Sequence, residues 1–245
     1  YRHVLPKRPE WYACACCPPN VSRLLTSLGQ YAWGQNKNGI FIHLYIGGEA
    51  SFEDFGKVSC ESNYPWSGNM RYTVSPKTAG AKFSFAIRIP AWCNNWSVSV
   101  NGSSAEYELK DGYAYIYREW NCGDIVELSL STEPRRIYAN TNVRANVGCV
   151  AVMRGPLVYC LEEVDNGSNL SALRLPRASE ITAKTENIEF VGNVVVLEAE
   201  GTRLQSCDEL YSTTPPESKP ALLRAVPYYT WGNRVSGGMR VWIHE

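Results

Sequence analysis

A two-residue apolar period, returning again and again after Gly34, leaves this chain few folds to choose from. Phe83, Phe85, Ile87 and Ile89 alternate with Lys82, Ser84, Ala86 and Arg88. Val126, Leu128 and Leu130 alternate with Glu127 and Ser129, and Tyr113, Tyr115 and Tyr117 with Ala114 and Ile116. Successive side chains of a strand point to opposite faces, so each run predicts a strand with one buried face. Ile40, Ile42, Leu44 and Ile46 interleave with Phe41, His43 and Tyr45, which predicts a strand covered on both faces. Trp96, Val98 and Val100 alternate with serines and lead into Asn101-Gly102, a hairpin turn signal. Short strands at this spacing predict an antiparallel sandwich.

The pattern pauses near Glu133-Pro134-Arg135-Arg136 and a second β-rich block follows. It holds Val150-Ala151-Val152, Leu157-Val158-Tyr159, Val194-Val195-Val196 and a final strand over Met239-Arg240-Val241-Trp242-Ile243. The polar stretch at 165–187 reads as loops. One amphipathic helix precedes all of this. Val21, Leu24, Leu25, Leu28 and Tyr31 recur at helical spacing, Pro18 and Pro19 suit its first turn, and Gly34 is placed to stop it. The expected order is a helical stub, one sandwich to about residue 137, and a second sandwich to the end.

The length of 245 residues and the 44 % hydrophobic content suit folded domains with real cores. Net charge is zero and there is no long basic run, which argues against nucleic acid or an anionic membrane as partner. No apolar run approaches the roughly 20 residues of a membrane-spanning helix. The first residue is Tyr1, so the expectation is a piece of a longer protein.

Nine cysteines are present, and Cys14, Cys16 and Cys17 crowd into CACCPPN directly before the helix. The odd count and irregular spacing of the others do not suit a secreted disulfide scaffold. Buried small hydrophobes in a reducing, cytoplasmic compartment are expected for most of the scattered six, with a periplasmic location open if a signal peptide lies upstream. A bridge between the neighbours Cys16 and Cys17 is disfavoured by strain. The positive end of a helix favours thiolate over thiol, the form that binds metal and attacks carbon. A complete zinc site needs about four ligands. The in-chain candidates beyond the cluster are His3, His43, His244 and isolated cysteines, and none shows ligand spacing. The residues themselves leave a buried structural cluster and a metal or catalytic role both open.

Phosphate-cradling glycine loops and a G-x-S-x-G elbow are absent from the sequence. Glu49, Glu53 and Asp54 read as a solvated loop, and Glu162 and Glu163 as the polar end of a strand. Some of the Tyr and Trp residues could stack on sugars, but packing is the expected role for most. A non-catalytic carbohydrate-binding or interaction module is the alternative to an enzyme at this stage.

The run Trp11-Tyr12-Ala13-Cys14-Ala15-Cys16-Cys17-Pro18-Pro19-Asn20-Val21-Ser22-Arg23-Leu24 resembles the end of the catalytic domain in bacterial β-L-arabinofuranosidases. Ile42–Gly48, Arg88-Ile89-Pro90-Ala91-Trp92, Arg154-Gly155-Pro156-Leu157-Val158-Tyr159 and Ala225–Arg234 resemble later family segments, in the family's order. The resemblance covers essentially the whole chain. It implies a mainly β fold: two β-sandwich domains, 34–137 and 138–245, after the last helix of a truncated (α/α)6 catalytic barrel in 1–33. It implies a retaining glycoside hydrolase, with Cys16 the nucleophile and Cys16 and Cys17 both ligands of Zn2+. The other zinc ligands, a glutamate and a cysteine, and the acid/base glutamate would lie in an earlier part of the barrel, and the fragment alone would be inactive. The implied substrate is an arabinose-containing oligosaccharide or glycoprotein glycan, or another plant-polysaccharide sugar for a related hydrolase. Cys14 takes no role from the family pattern. Exposed aromatic strands make a homodimer a further expectation.

Overall fold

The alternating runs form strands, and their apolar faces close three buried clusters, one in the first unit and two in the second. The computed structural model describes residues 8–10 and 15–245; His3 and Cys14 lie outside them. Two units are present, Tyr12–Thr132 and, separately, Glu133–Glu245 together with residues 8–10.

The first unit runs α1 (Cys17–Ser27), α2 (Gly29–Ala32), β1 (Trp33–Asn36), β2 (Gly39–Ile42), β3 (Gly48–Phe52), β4 (Gly56–Ser62), β5 (Asn69–Pro76), β6 (Ala81–Arg88), β7 (Trp96–Val100), β8 (Ser103–Ser104), β9 (Glu108–Lys110), β10 (Tyr113–Trp120) and β11 (Asp124–Leu130). One sheet has the order β1-β2-β6-β10-β9 and the other β3-β4-β5-β11-β7-β8. The core is built from both. Ile40, Ile42, Phe85, Ile87 and Ile116 come from the first sheet, and Val58, Tyr72, Val98, Val126 and Leu128 from the second. This is the sandwich that the alternation predicts. All its pairings are antiparallel except β2 with β6. Asn101 and Gly102 take left-handed backbone in the β7–β8 turn, and Asp111-Gly112 does the same between β9 and β10.

Two local expectations change. The helix expected through Trp33 breaks at Leu28–Gly29, and Trp33 is already extended, pairing with Ile42. Gly34 therefore sits in β1 and does not stop the helix. A Cβ there would come within 2.7 Å of His43 Nε2, so the missing side chain makes room for the imidazole. The strand expected to reach Ile46 ends at Ile42, because the His43 and Leu44 amides donate back to the Ala32 carbonyl.

The second unit runs β12 (Pro134–Tyr138), β13 (Cys149–Arg154), β14 (Leu157–Glu162), α3 (Glu163–Asn166), β15 (Leu173–Arg174), β16 (Ile181–Ile188), β17 (Gly192–Leu204), β18 (Ser218–Pro227), β19 (Met239–Arg240) and β20 (Ile243–His244). It begins at Glu133, a few residues before the expected 138, because β12 already pairs with β13. Its strands join one sheet, in contrast to the two of the first unit. β13, β20, β15, β17, β18 and β14 pair in that order, and β14 pairs back to β13, so the ring closes. Closure removes exposed edges from these strands. One face buries Val152, Tyr159, Leu161, Leu197 and Leu223, and the alternate residues Cys160, Val194, Val196 and Val226 bury the other. The stretch expected to be loop contains β16, which pairs along its length with β17. Its residues are mostly polar and only Ile188 is buried, so no apolar period marks it. The expected final strand divides into β19 and β20, on different neighbours.

Candidate active site

Cys16 and Cys17 stand where the chain enters α1, Cys16 at the capping position and Cys17 as the first helical residue. Pro18 and Pro19 fix the first turn and remove two N–H groups that would otherwise point out of the helix end. Asn20 closes the turn, its Nδ2 donating to the Cys16 carbonyl at 2.9 Å. The Arg23 guanidinium donates in turn to Asn20 Oδ1. These contacts brace the backbone that carries the two thiols, whose Sγ atoms lie 3.8 Å apart. That separation is far beyond a disulfide bond of about 2.05 Å. It matches two sulfurs on one tetrahedral zinc, where Zn–S distances of about 2.3 Å put them about 3.8 Å apart. Both cysteines are exposed.

The helix that carries them buries nothing. Val21 is 56 % exposed, Leu24 55 % and Leu25 64 %. The apolar stripe read from the sequence is real, and its covering is absent among the described residues. An isolated helix of 11 residues is marginal in water, so such a stripe marks a packing face.

The other candidates fall elsewhere. His43 Nδ1 lies 2.7 Å from the Tyr113 hydroxyl, its ring stacks on Phe41, and burial and then Arg88 push its pKa down. His244 lies with Nδ1 3.3 Å from Cys149 Sγ, and Arg240 Nη2 is 3.0 Å from its Nε2. A guanidinium can only donate, so that nitrogen accepts and the imidazole is neutral. Burial, Arg174 and Arg240 push its pKa down. Among the described residues no three His, Cys, Asp or Glu side chains gather as metal ligands. Of the six scattered cysteines, Cys60, Cys93, Cys149 and Cys160 are buried and Cys122 and Cys207 exposed. Burial raises the Cys60 thiol to about 11 and the Cys160 thiol to about 12, which keeps both protonated and inert. Glu49, Glu53 and Asp54 are all exposed, but only Glu53 and Asp54 lie in a turn; Glu49 sits in β3 opposite Ser59 and pairs with Lys57 at 3.0 Å.

Glu162 does end a strand, as the last residue of β14, but it is not solvated. It is buried and receives the Arg234 guanidinium. Arg234 also bonds Asp165 at 2.6 and 2.9 Å, and Asp165 pairs with Arg224 at 2.6 Å, which reaches Glu186 at 2.7 Å. The Asp165 hydrogen bonds, with the help of Glu162, raise the Arg234 pKa despite its burial. No local spacing reveals this chain of charges, because Glu162 and Arg234 are 72 positions apart.

Comparison with known proteins gives these features a family. A model described as "Beta-L-arabinofuranosidase, GH127 middle domain" matches residues 39–132, and one described as "Glycoside hydrolase family 127 C-terminal domain" matches 134–244. The chain is 38 % identical to the non-reducing end β-L-arabinofuranosidase of Bifidobacterium longum subsp. longum, over 98 % of this chain and 38 % of that protein. A GH127 β-L-arabinofuranosidase structure from Geobacillus stearothermophilus T6 superimposes with a TM-score of 0.91 at 44 % identity, over 100 % of this chain and 39 % of that one. A GH127 β-arabinofuranosidase structure gives 0.84 at 31 % identity, over 97 % and 40 %. The chain thus spans about two fifths of the length of the relatives it matches. With both domain models matched in order and each unit accounted for, the chain belongs to glycoside hydrolase family 127.

Proposed function

We propose that this chain is the C-terminal portion of a retaining glycoside hydrolase that removes β-L-arabinofuranosyl residues, with Cys16 as nucleophile. The observation that carries the reading is the Cys16–Cys17 pair, 3.8 Å apart at the start of a helix whose apolar face lies bare. Cys16 and Cys17 would hold a zinc ion, whose charge keeps a coordinating thiol deprotonated at neutral pH. The remaining zinc ligands and the acid/base carboxylate would come from a preceding barrel domain, which would also cover Val21, Leu24 and Leu25. The relatives named as arabinofuranosidases support the sugar assignment.

The chemistry balances. The Cys16 sulfur attacks the anomeric carbon as the glycosidic C–O bond breaks, and an acid protonates the departing oxygen. The same group, now a base, takes a proton from water. Water then displaces Cys16 and releases arabinose with its configuration retained. Asn20 serves by fixing the turn on which Cys16 sits.

The test uses the full-length protein and an aryl β-L-arabinofuranoside. Cys16→Ser is expected to lower kcat by about a thousandfold or more while Asn20 and the helix stay in place. Cys17→Ser is expected to drop the zinc content well below one per chain, measured by elemental analysis. Full turnover by Cys16→Ser would sink the nucleophile assignment.

A further inference from the structure

The outer face of the sheet β1-β2-β6-β10-β9 is not the polar surface that a one-sided antiparallel sheet normally turns to water. Phe83, Phe85 and Ile87 of β6 point into the sandwich core, so Ser84, Ala86 and Arg88 point away from it. Beside them on β10 the outward positions are Tyr117, Tyr115 and Tyr113. Ala86 pairs with Tyr115 on one side and with Phe41 of β2 on the other. These two rings meet edge to face, with centroids 5.9 Å apart, and Ala86 is fully buried. Two residues along the strands, Ser84 pairs with Tyr117 on one side and Gly39 on the other. Small residues leave that floor bare, and a Cβ on Gly39 would run into the Ser84 carbonyl.

An open groove of about 720 Å³ lies over this floor. Small-molecule sites span about 300–1,000 Å³. Phe41, Tyr115 and Tyr117 line it, and Tyr117 is 69 % exposed. Asn36 and Asn38 border it at the β1 edge of the sheet, and Glu106, Glu108 and Asp111 at the β9 edge. Lys110 is the one cation in the lining, against three carboxylates. None of these four charged side chains makes an ion pair or hydrogen bond among the described residues. The lining selects by chemistry. Its negative rim repels phosphates and acidic sugars. An exposed tyrosine offers an apolar plate with a polar edge, which suits the C–H face of a sugar ring. Carboxylates and amides beside it accept from and donate to hydroxyls. The core of a protein interface is instead depleted in Glu and Asp.

We propose that this groove binds a neutral oligosaccharide, with Tyr117 as the stacking platform and Glu106, Glu108 and Asn38 as partners for the hydroxyls. No residue of α1 lines it, so Cys16 and Cys17 take no part in this binding. That the sugar is an arabinose glycan rests on the arabinofuranosidase reading; the preference for a neutral sugar rests on the groove alone. No bond is made or broken here. The groove retains a glycan on the protein, and a tethered glycan presents its other branches at a raised effective concentration.

The test is calorimetric titration of the 245-residue chain and of the full-length protein with α-linked arabinotriose, xylotriose and trigalacturonate. None of these carries a β-L-arabinofuranosyl bond, so the proposed chemistry does not consume them. Saturable binding of arabinotriose is expected in both proteins, and none of trigalacturonate. Tyr117→Ala is expected to weaken arabinotriose binding about tenfold, and Tyr117→Phe, which keeps the ring, to retain most of it. Glu106→Gln with Glu108→Gln is expected to narrow the gap between neutral and acidic trimers about threefold or more. Tyr211→Ala, at a side chain 93 % exposed in the other unit, is expected to change nothing. No binding of either neutral trimer, or binding that Tyr117→Ala leaves intact, would overturn the proposal. So would Tyr117-dependent binding seen in the chain and lost in the full-length protein, which would mean that another domain covers the face. A dimer that dissociates in Tyr117→Ala, with no sugar bound, would overturn it in favour of a second copy of the chain. Tyr117-dependent binding of xylotriose alone would uphold the groove and remove its arabinose assignment. A full-length protein inactive on the aryl β-L-arabinofuranoside would sink the arabinofuranosidase reading, and the titrations would still decide the groove.

Discussion

The first sandwich and the helix in front of it follow the same rule and end in opposite states. In the sandwich, Phe85, Ile87, Val126 and Leu128 line one face of their strands, and a second sheet covers them completely. In α1, Val21, Leu24 and Leu25 line one face just as cleanly, and that face is more than half exposed at each position. Apolar patterning states which side of an element wants burial; it does not supply the partner. The sandwich carries its stability within itself. The helix carries the pair of thiols of the proposed chemistry at its first turn, and its apolar face is uncovered among the described residues. Structure and site are thus separated along this chain within a few residues of Trp33.

The comparison breaks first where the sandwich is densest. Trp120 is fully buried, packs in tilted contact with the Phe83 and Phe85 rings, and donates from Nε1 to the Phe83 carbonyl at 3.0 Å. Trp120→Ala removes that bond and opens a large cavity between the sheets. A loss of about 3–5 kcal/mol is expected in urea unfolding of the chain. A loss under about 1 kcal/mol would mean that the sandwich does not hold itself together as its core implies.

How much of this contrast was legible in the sequence depends on the kind of contact. The strands at Phe83–Ile87, Trp96–Val100 and Val126–Leu130 were legible because one face meets a core and the other water. The strand Ile181–Ile188 was not, because it lies beside its neighbour β17 with little of itself buried. The closed ring of the second unit was not legible either: β13 and β14 form a local hairpin, but closure depends on β20 and β18 reaching them from the far end of the sequence, which no local pattern encodes. The burial of Glu162 was not legible for the same reason: its partner Arg234 comes from the far end of the chain. At the site, Cys16 and Cys17 were visible at once as a crowded pair. Their spacing of 3.8 Å needed coordinates, and their assignment as zinc ligands came from resemblance.

A smaller effect separates the two β units from the helix by acidity. His43 belongs to the first unit and His244 to the second, and both have lowered pKa values, chiefly by burial. In the unfolded chain each titrates near 6.5. Above that pH both states are neutral and neither histidine affects stability. As pH falls below about 6.5, the unfolded chain takes up protons first, and stability drops until the lowered folded values are reached. Unfolding free energy is therefore expected to be lower at pH 5.5 than at pH 7.5. Replacing His244 with Gln, which cannot take up a proton, is expected to flatten part of that slope. An unchanged slope in both His43→Gln and His244→Gln would assign the dependence to carboxylates instead.

The smallest effect is the sharpest test of the contrast. Leu24→Ala and Leu25→Ala remove apolar groups from positions that are already 55 % and 64 % exposed. Alanine is as good a helix former as leucine, so neither local propensity nor packing should suffer. In the chain as it stands, each substitution is expected to shift unfolding by no more than about 0.5 kcal/mol. In the full-length protein the same substitutions are expected to cost about 2–5 kcal/mol each if, as proposed, a preceding barrel domain buries the stripe. Buried leucines and exposed leucines obey one physics, so the difference between the two experiments measures the covering itself. A negligible cost in both would mean that no domain packs on α1, and the two thiols would then lack the neighbour that the proposed chemistry requires.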